Sequence, residues 1–240
     1  GIRVGHGCPS FYPNLLRIDI LRRMTGPVKS ATRSYDNAAR QAQSDLTRGR
    51  ILDAAQALIV AKGYRATTVA QIARDAGVHV DTLYALVGRK PEILRELIEL
   101  AISGTDQPLA ADERDYVQRM QAEPDPVRQL DIYAGAVRAI QARLAPLFLA
   151  LRDAASTEPE AHDVWRQISE RRAANMRRLV ANLGHDALRP GLDIDAAADV
   201  VWATASSELF VLLTEERGWS LDRYQDWLAD TWRRLLLGQA

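Results

Sequence analysis

A glycine between two short, apolar-faced segments constrains this chain more than any other feature. It lies in the stretch TVAQIARDAGVHVDTLYALVGRK, from Thr68 to Lys90. Val69, Ile72, Ala73 and Ala76 recur at i, i+3, i+4 and i+7, which places them on one face of a helix. Thr68 precedes that helix and Gln71 follows three positions later. This is the spacing of a capping box, in which each side chain satisfies an orphan N–H at the helix start. Gly77 interrupts the pattern and is free to take the positive φ that a tight turn needs. A second short helix over residues 80–86 turns Leu83, Leu86 and Val87 inward. Two helices joined in this way make either an ordinary αα-hairpin or the helix-turn-helix of DNA readers, whose second helix enters the major groove.

The distribution of charge bears on that choice. The formal net charge is zero, but residues 1–44 carry seven basic against two acidic side chains. Residues 45–90 carry seven against four, and residues 91–240 are acidic by eight. Positive charge is segregated onto the half that holds the hairpin, as an electrostatic footprint for phosphates requires.

Upstream of the hairpin runs RGRILDAAQALIVAKGYRATT and downstream ALVGRKPEILRELIELA. Arg50-Ile51-Leu52, Ala54-Ala55, Gly63-Tyr64, Thr67-Thr68-Val69, Ile72-Ala73, Ala76-Gly77-Val78, Thr82-Leu83-Tyr84 and Lys90 together resemble the N-terminal domain of the tetracycline-repressor (TetR) family of transcriptional regulators. The resemblance covers about positions 45 to 104. It implies that Thr68, Tyr84 and Lys90 contact phosphates, which set register and affinity. Val80, Asp81 and Thr82 would face the bases, with His79 at the start of the reading helix. Arg48, together with Arg33 and Arg40, is a candidate for following the phosphate backbone; a solvated basic tail is the other reading of the three.

The sequence departs from the family pattern in two places. His79 stands where a helix-capping Ser is common, and Leu86-Val87-Gly88-Arg89-Lys90-Pro91 replaces the usual His-Phe-x-Ser-Lys-Glu. The reading helix also carries no Arg, Lys, Asn or Gln, so it lacks the side chains that read G or A bidentately. Val80 and the Thr82 methyl suit a thymine methyl, and Asp81 can accept from cytosine N4 or stabilise its own helix N-terminus. Such a reader leans on phosphates and DNA shape.

The chain reads as all-α. Residues 1–44 form an N-terminal extension expected to be flexible, with a short amphipathic segment over 15–24 and Met24 as a candidate natural start. Residues 45–90 form the helix-turn-helix domain, its first helix over 45–62 closed at Gly63. Residues 91–240 form a helical regulatory and dimerisation body. Its helices are expected over 91–103, 112–121 and 127–155, the last interrupted at Pro146. Further helices are expected over 160–183 and 196–213, and a final one from Leu221. Arg166, Arg171, Arg172, Arg177 and Arg178 read as a solvated face. By resemblance, the helix over 91–103 links head to body and transmits ligand binding.

The helix over 196–213 is apolar all round, and Leu221, Tyr224, Leu228, Trp232 and Leu235 space roughly as heptads. Val201, Leu209, Leu212, Leu221, Tyr224, Leu228 and Trp232 are therefore the expected dimer interface, pairing as a four-helix bundle. Met120, Tyr133, Phe148, Trp165, Met176, Trp202 and Phe210 are expected either as core packing or as the lining of an effector pocket that the resemblance implies. The expected partners are double-stranded operator DNA, a second copy of the chain and an unidentified small-molecule effector.

Other classes fit less well. The four histidines show no HExxH spacing, and no Gly-x-Ser-x-Gly elbow, phosphate-cradling loop or CxxC pair is present. Neither a catalytic centre nor a metal or cofactor is expected; an all-α enzyme using the C-terminal pocket is the remote alternative. A nonspecific architectural DNA-coating protein would need basic charge over more of its surface. Cys8 is the single cysteine, so no intrachain disulfide can form. With no membrane span or secretory signal read from the sequence, a cytoplasmic protein is expected.

Overall fold

The computed structural model describes residues 30–105 and 107–238. The expected segment over 15–24, the Met24 start and the Arg33 side chain lie outside the described residues. The described residues divide into two units, with the boundary between Ser44 and Asp45. Among the described residues the structure is helical, with one isolated bridge between Leu188 and Leu237 and no strand.

Helix α1 (Ser30–Ala66) starts earlier than the expected residue 45. The run SATRSYDNAARQAQS contains neither Gly nor Pro and is rich in alanine, so nothing in it stops a helix. The helix breaks at Gly63, where φ is 81°, and the Thr67 hydroxyl donates to the Gly63 carbonyl at 2.9 Å. Helix α2 (Val69–Asp75) opens with both bonds of the capping box: Gln71 N–H to Thr68 Oγ1 at 3.2 Å and Thr68 N–H to Gln71 Oε1 at 3.1 Å. Gly77 turns the chain at φ 67°, a left-handed conformation that a Cβ would strain. Helix α3 (Val80–Val87) and helix α4 (Lys90–Ser103) follow.

The body continues with α5 (Asp115–Ala122), α6 (Pro126–Ala155), α7 (Pro159–Leu183), α8 (Ile194–Thr204), α9 (Ser207–Val211), a π-helical turn (Leu212–Glu216) and α10 (Leu221–Leu236). Its long member, α6, packs against α4, α5, α7, α9 and α10. That burial on several sides explains a property not expected from the sequence. By length and mean hydropathy, α6 is apolar enough to cross a bilayer, yet 44% of that window is buried within the protein.

Three expectations about the helices need correction. Helix α6 passes through Pro146 as one element. Pro146 and Ala142, whose carbonyl loses its intrahelical partner, are both exposed, so water can take that bond. The helix expected over 196–213 is instead bent by 43° between α8 and the segment from Ser207 to Glu216. Polar groups fill the break: Gln141 Nε2 donates to the Ala205 carbonyl at 2.7 Å, the Ser207 hydroxyl donates to Gln141 Oε1 at 2.8 Å, and Ser206 caps α9 through the Leu209 N–H. The middle of the α10 heptad stripe faces inward, while its ends, Leu221 and Leu235, are exposed. Tyr224, Leu228 and Trp232 are fully buried in their own chain, as is Val201 on α8, so these four cannot present an interface to a partner. The Trp232 indole donates to the Thr204 hydroxyl at 2.7 Å.

The buried apolar groups divide into two clusters. One joins Ile51, Ile72, Leu83 and Ile98 of the first four helices to Leu151 of α6 and Val164 of α7. The other joins Met120, Leu130 and Val180 to Phe210, Tyr224 and Trp232. The first core thus extends beyond residue 90 into the long helices of the body.

Candidate nucleic-acid interface and effector cavity

Helix α3 is held by one face and presents the other. Leu83 is fully buried and Val87 nearly so. Val80 is 36% exposed and Tyr84 47%, and His79, Asp81 and Thr82 are exposed beside them. His79 occupies the cap position without a side-chain bond to the helix, which leaves its imidazole uncommitted there. Large apolar and aromatic groups standing in water at the start of a helix need a covering surface, and a groove with thymine methyls and phosphates offers one.

The expected phosphate contacts differ in their surroundings. Thr68 is exposed, but its hydroxyl already accepts the Gln71 N–H. Lys90 lies half-buried, its ammonium 3.8 Å above the centre of the Tyr64 ring. Burial lowers its pKa from the ordinary lysine value, while Glu158 acts in the opposite direction. Burial also raises the pKa of the Tyr64 phenol, helped by the carboxylates of Glu158, Glu160 and Glu92. Arg48 does not point freely to solvent: it pairs with Glu96 of α4 at 2.7 Å, a carboxylate only 11% exposed. Burial raises the pKa of Glu96 and Arg48 lowers it, so this arginine primarily fastens α1 to α4. A cation that the sequence reading passed over stands nearer the turn. The guanidinium of exposed Arg50 comes within 4.0 Å of where a Cβ on Gly77 would lie.

Helix α4 is tied to the body at several points. Arg95 donates to Gln167 at 2.9 Å, Arg171 pairs with Glu99, and Arg143 Nε donates to the Ala101 carbonyl at 3.0 Å. A Cβ on Gly104 would stand 2.6 Å from Arg143, so the glycine admits this arginine to the end of the helix.

Beside these ties lies a cleft of about 750 Å³ counting its open mouth, walled by α4, α5, α6, α7 and the α8–α9 bend. A second hollow of about 690 Å³ adjoins it at Tyr116, Tyr133, Asn175 and Met176. Of the expected pocket residues, Tyr133, Phe148 and Met176 line the first and Met120 the second. Trp165, Trp202 and Phe210 line neither. Trp165 packs against the first core, Phe210 meets the Tyr224 ring edge-on at 5.0 Å, and Trp202 is 38% exposed with Arg172 over its ring at 5.0 Å. The solvated reading of the α7 arginines also fails for Arg172, which lines the cleft and donates to the Trp202 carbonyl. Arg114 lines the same cleft, and nothing in the sequence singled it out.

A helix-turn-helix with an outward-facing second helix, joined to a cavity-bearing helical body, defines a DNA-binding regulator. Residues 51–97 match the family of bacterial regulatory proteins, tetR family, so the match covers the helix-turn-helix and its flanking helices. No curated protein matches the chain. The fold is that of several solved structures. One is NalD of Pseudomonas aeruginosa, the secondary repressor of the MexAB-OprM multidrug efflux pump (TM-score 0.61, 22% identity, 81% of this chain and 98% of that one). Another is the transcriptional regulator FadR of Bacillus subtilis in complex with stearoyl-CoA (0.61, 19% identity, 76% and 96%). A third is a transcriptional regulator of Saccharomonospora viridis in complex with choline (0.59, 19% identity, 80% and 98%). At these identities the likeness speaks for the fold alone.

Proposed function

We propose that the chain is a cytoplasmic, ligand-responsive repressor that binds a palindromic operator as a homodimer and leaves it when a small molecule fills the body. The observation that carries this reading is the exposed face of α3, with Val80, Asp81, Thr82 and Tyr84 outward and Leu83 fully buried behind them. One helix of eight residues reads few base pairs, so a second copy doubles the site and sets half-site spacing. Leu212 and Leu221 are exposed and Leu209 partly so, and these three remain the proposed partner face among the residues expected there. Helix α4 is suited to transmit binding, because Ile102 at its end lines the cleft and Arg171, which pairs with Glu99, lines it too.

Selection of bound DNA from a random pool tests the reading directly. An enriched inverted repeat is expected, and uniform recovery of unrelated sequences would overturn it. Light scattering of the purified chain gives the second arm, with a dimer mass expected and Leu212→Glu shifting it towards monomer.

A further inference from the structure

We infer that the cleft between α5, α6 and α7 takes an amphipathic organic anion, with a carboxylate head held by Arg114 and Arg172 and an apolar body lying against Val137, Leu144, Phe148 and Ile168. This rests on the ligand-responsive reading above and names the chemical class of its ligand. The lining holds three arginines, Arg114, Arg171 and Arg172, and no aspartate or glutamate. Arg171 is already matched by Glu99. The other two are not matched in the same way. Arg114 is 9% exposed, donates one bond to the Leu109 carbonyl at 3.1 Å, and keeps its Nε buried without a partner. Among the described residues Arg172 is met by the Trp202 carbonyl and ring, and Glu208, the carboxylate acting on it, is itself bound by Arg152.

Both guanidinium groups line the cleft that also holds the Tyr133 side chain. The phenol of buried Tyr133, raised in pKa chiefly by burial, is drawn back down by Arg172 and by Arg114. Arg114 and Arg172 line one cleft together with Tyr133, which also lines the second hollow. Burying a guanidinium without a counter-charge is costly, and a planar carboxylate meets its fork with two parallel bonds. Neutral or cationic ligands leave that cost in place. The rest of the wall is aliphatic and aromatic, which suits an alkyl or aryl tail.

The test is calorimetric titration of the full-length chain at pH 7 with octanoate, decanoate and 4-butylbenzoate, against decanol and decyltrimethylammonium. Saturable carboxylate binding is expected, about tenfold or more tighter than decanol or the ammonium, as loss of a charge-assisted pair implies. Arg114→Gln and Arg172→Gln should each weaken decanoate about tenfold or more while leaving decanol within about twofold. Helical circular dichroism checks that each variant folds, and Arg114→Gln decides the matter if Arg172→Gln does not fold. Equal binding of the three head groups, no saturable binding of any carboxylate, or unchanged decanoate affinity in folded Arg114→Gln would each overturn the inference. Operator affinity with and without decanoate separates the two readings: arginine-dependent binding that leaves operator affinity unchanged keeps the anion site and removes the ligand-responsive function.

Discussion

The reading head and the helical body solve the problem of burial at different ranges. In the head, α2 and α3 hold seven and eight residues, and each contributes only two side chains to the buried core. What fixes them is local: a capping box, a left-handed glycine and one apolar stripe apiece. The body uses helices of thirty and twenty-five residues, bent or crossed so that a cavity survives between them. Its polar groups are matched over long separations, such as Gln141 with Ser207 and Trp232 with Thr204. A surface that must present the same few side chains to DNA benefits from short-range determination. A chamber that admits a ligand must be assembled from distant segments, because no single helix can surround a molecule.

Substitutions that break this contrast rank by how much buried structure they remove. Trp232→Ala opens a cavity in the body and leaves the Thr204 hydroxyl without its donor, at about 3–5 kcal/mol, read as a shift of the urea midpoint. Leu83→Ala in the head should cost about 2–5 kcal/mol by the same measurement. Because the first core runs from α1 into α6 and α7, both variants should unfold in a single transition. Two separate transitions would show that head and body are energetically independent.

Removing the tie between α1 and α4 has a smaller effect with a pH signature. Arg48→Ala leaves Glu96 buried beside no cation, at about 1–3 kcal/mol near neutrality. Burial already holds the folded-state pKa of Glu96 above its ordinary value, and losing Arg48 raises it further. A carboxyl whose folded pKa is raised stabilises the fold when protonated, and that stability is lost as pH rises through the folded pKa. The variant's deficit should therefore shrink on going from pH 7 towards the ordinary carboxylate range. A deficit that stayed constant or grew would contradict this account of Glu96.

At the DNA surface the effects are smaller still and differ in kind. Tyr84→Ala should weaken binding by about tenfold on all sequences alike, whereas Val80→Ala or Asp81→Asn should change which sequences are selected. If Tyr84→Ala altered preference instead, the division between phosphate-facing and base-facing residues would have to be redrawn. Gly77→Ala, which places a Cβ at φ 67°, should cost about 1 kcal/mol in stability through strain in the turn alone.

Legibility follows the same division. The capping box at Thr68 and Gln71 and the turn at Gly77 were readable because each depends on residues within a few positions of one another. The heptad spacing of Tyr224, Leu228 and Trp232 was equally visible, but it could not say which surface the stripe would meet. The structure places it against the chain's own α6 and α8. Arg172 shows the same limit: a charged side chain on a long helix reads as solvated until another helix covers it, and here the neighbourhood of Trp202 does so.

What the amino-acid order decided by itself is the all-helical character and the short reading hairpin, since capping, glycine turns and 3.6-residue periodicity act over one or two turns of chain. What only tertiary packing decided is where α8 bends, which faces of α10 and α7 are buried, and that Arg114 and Arg172 end at one cavity wall. Those outcomes depend on contacts between segments tens of residues apart, and side-chain spacing along a helix carries no record of its partner.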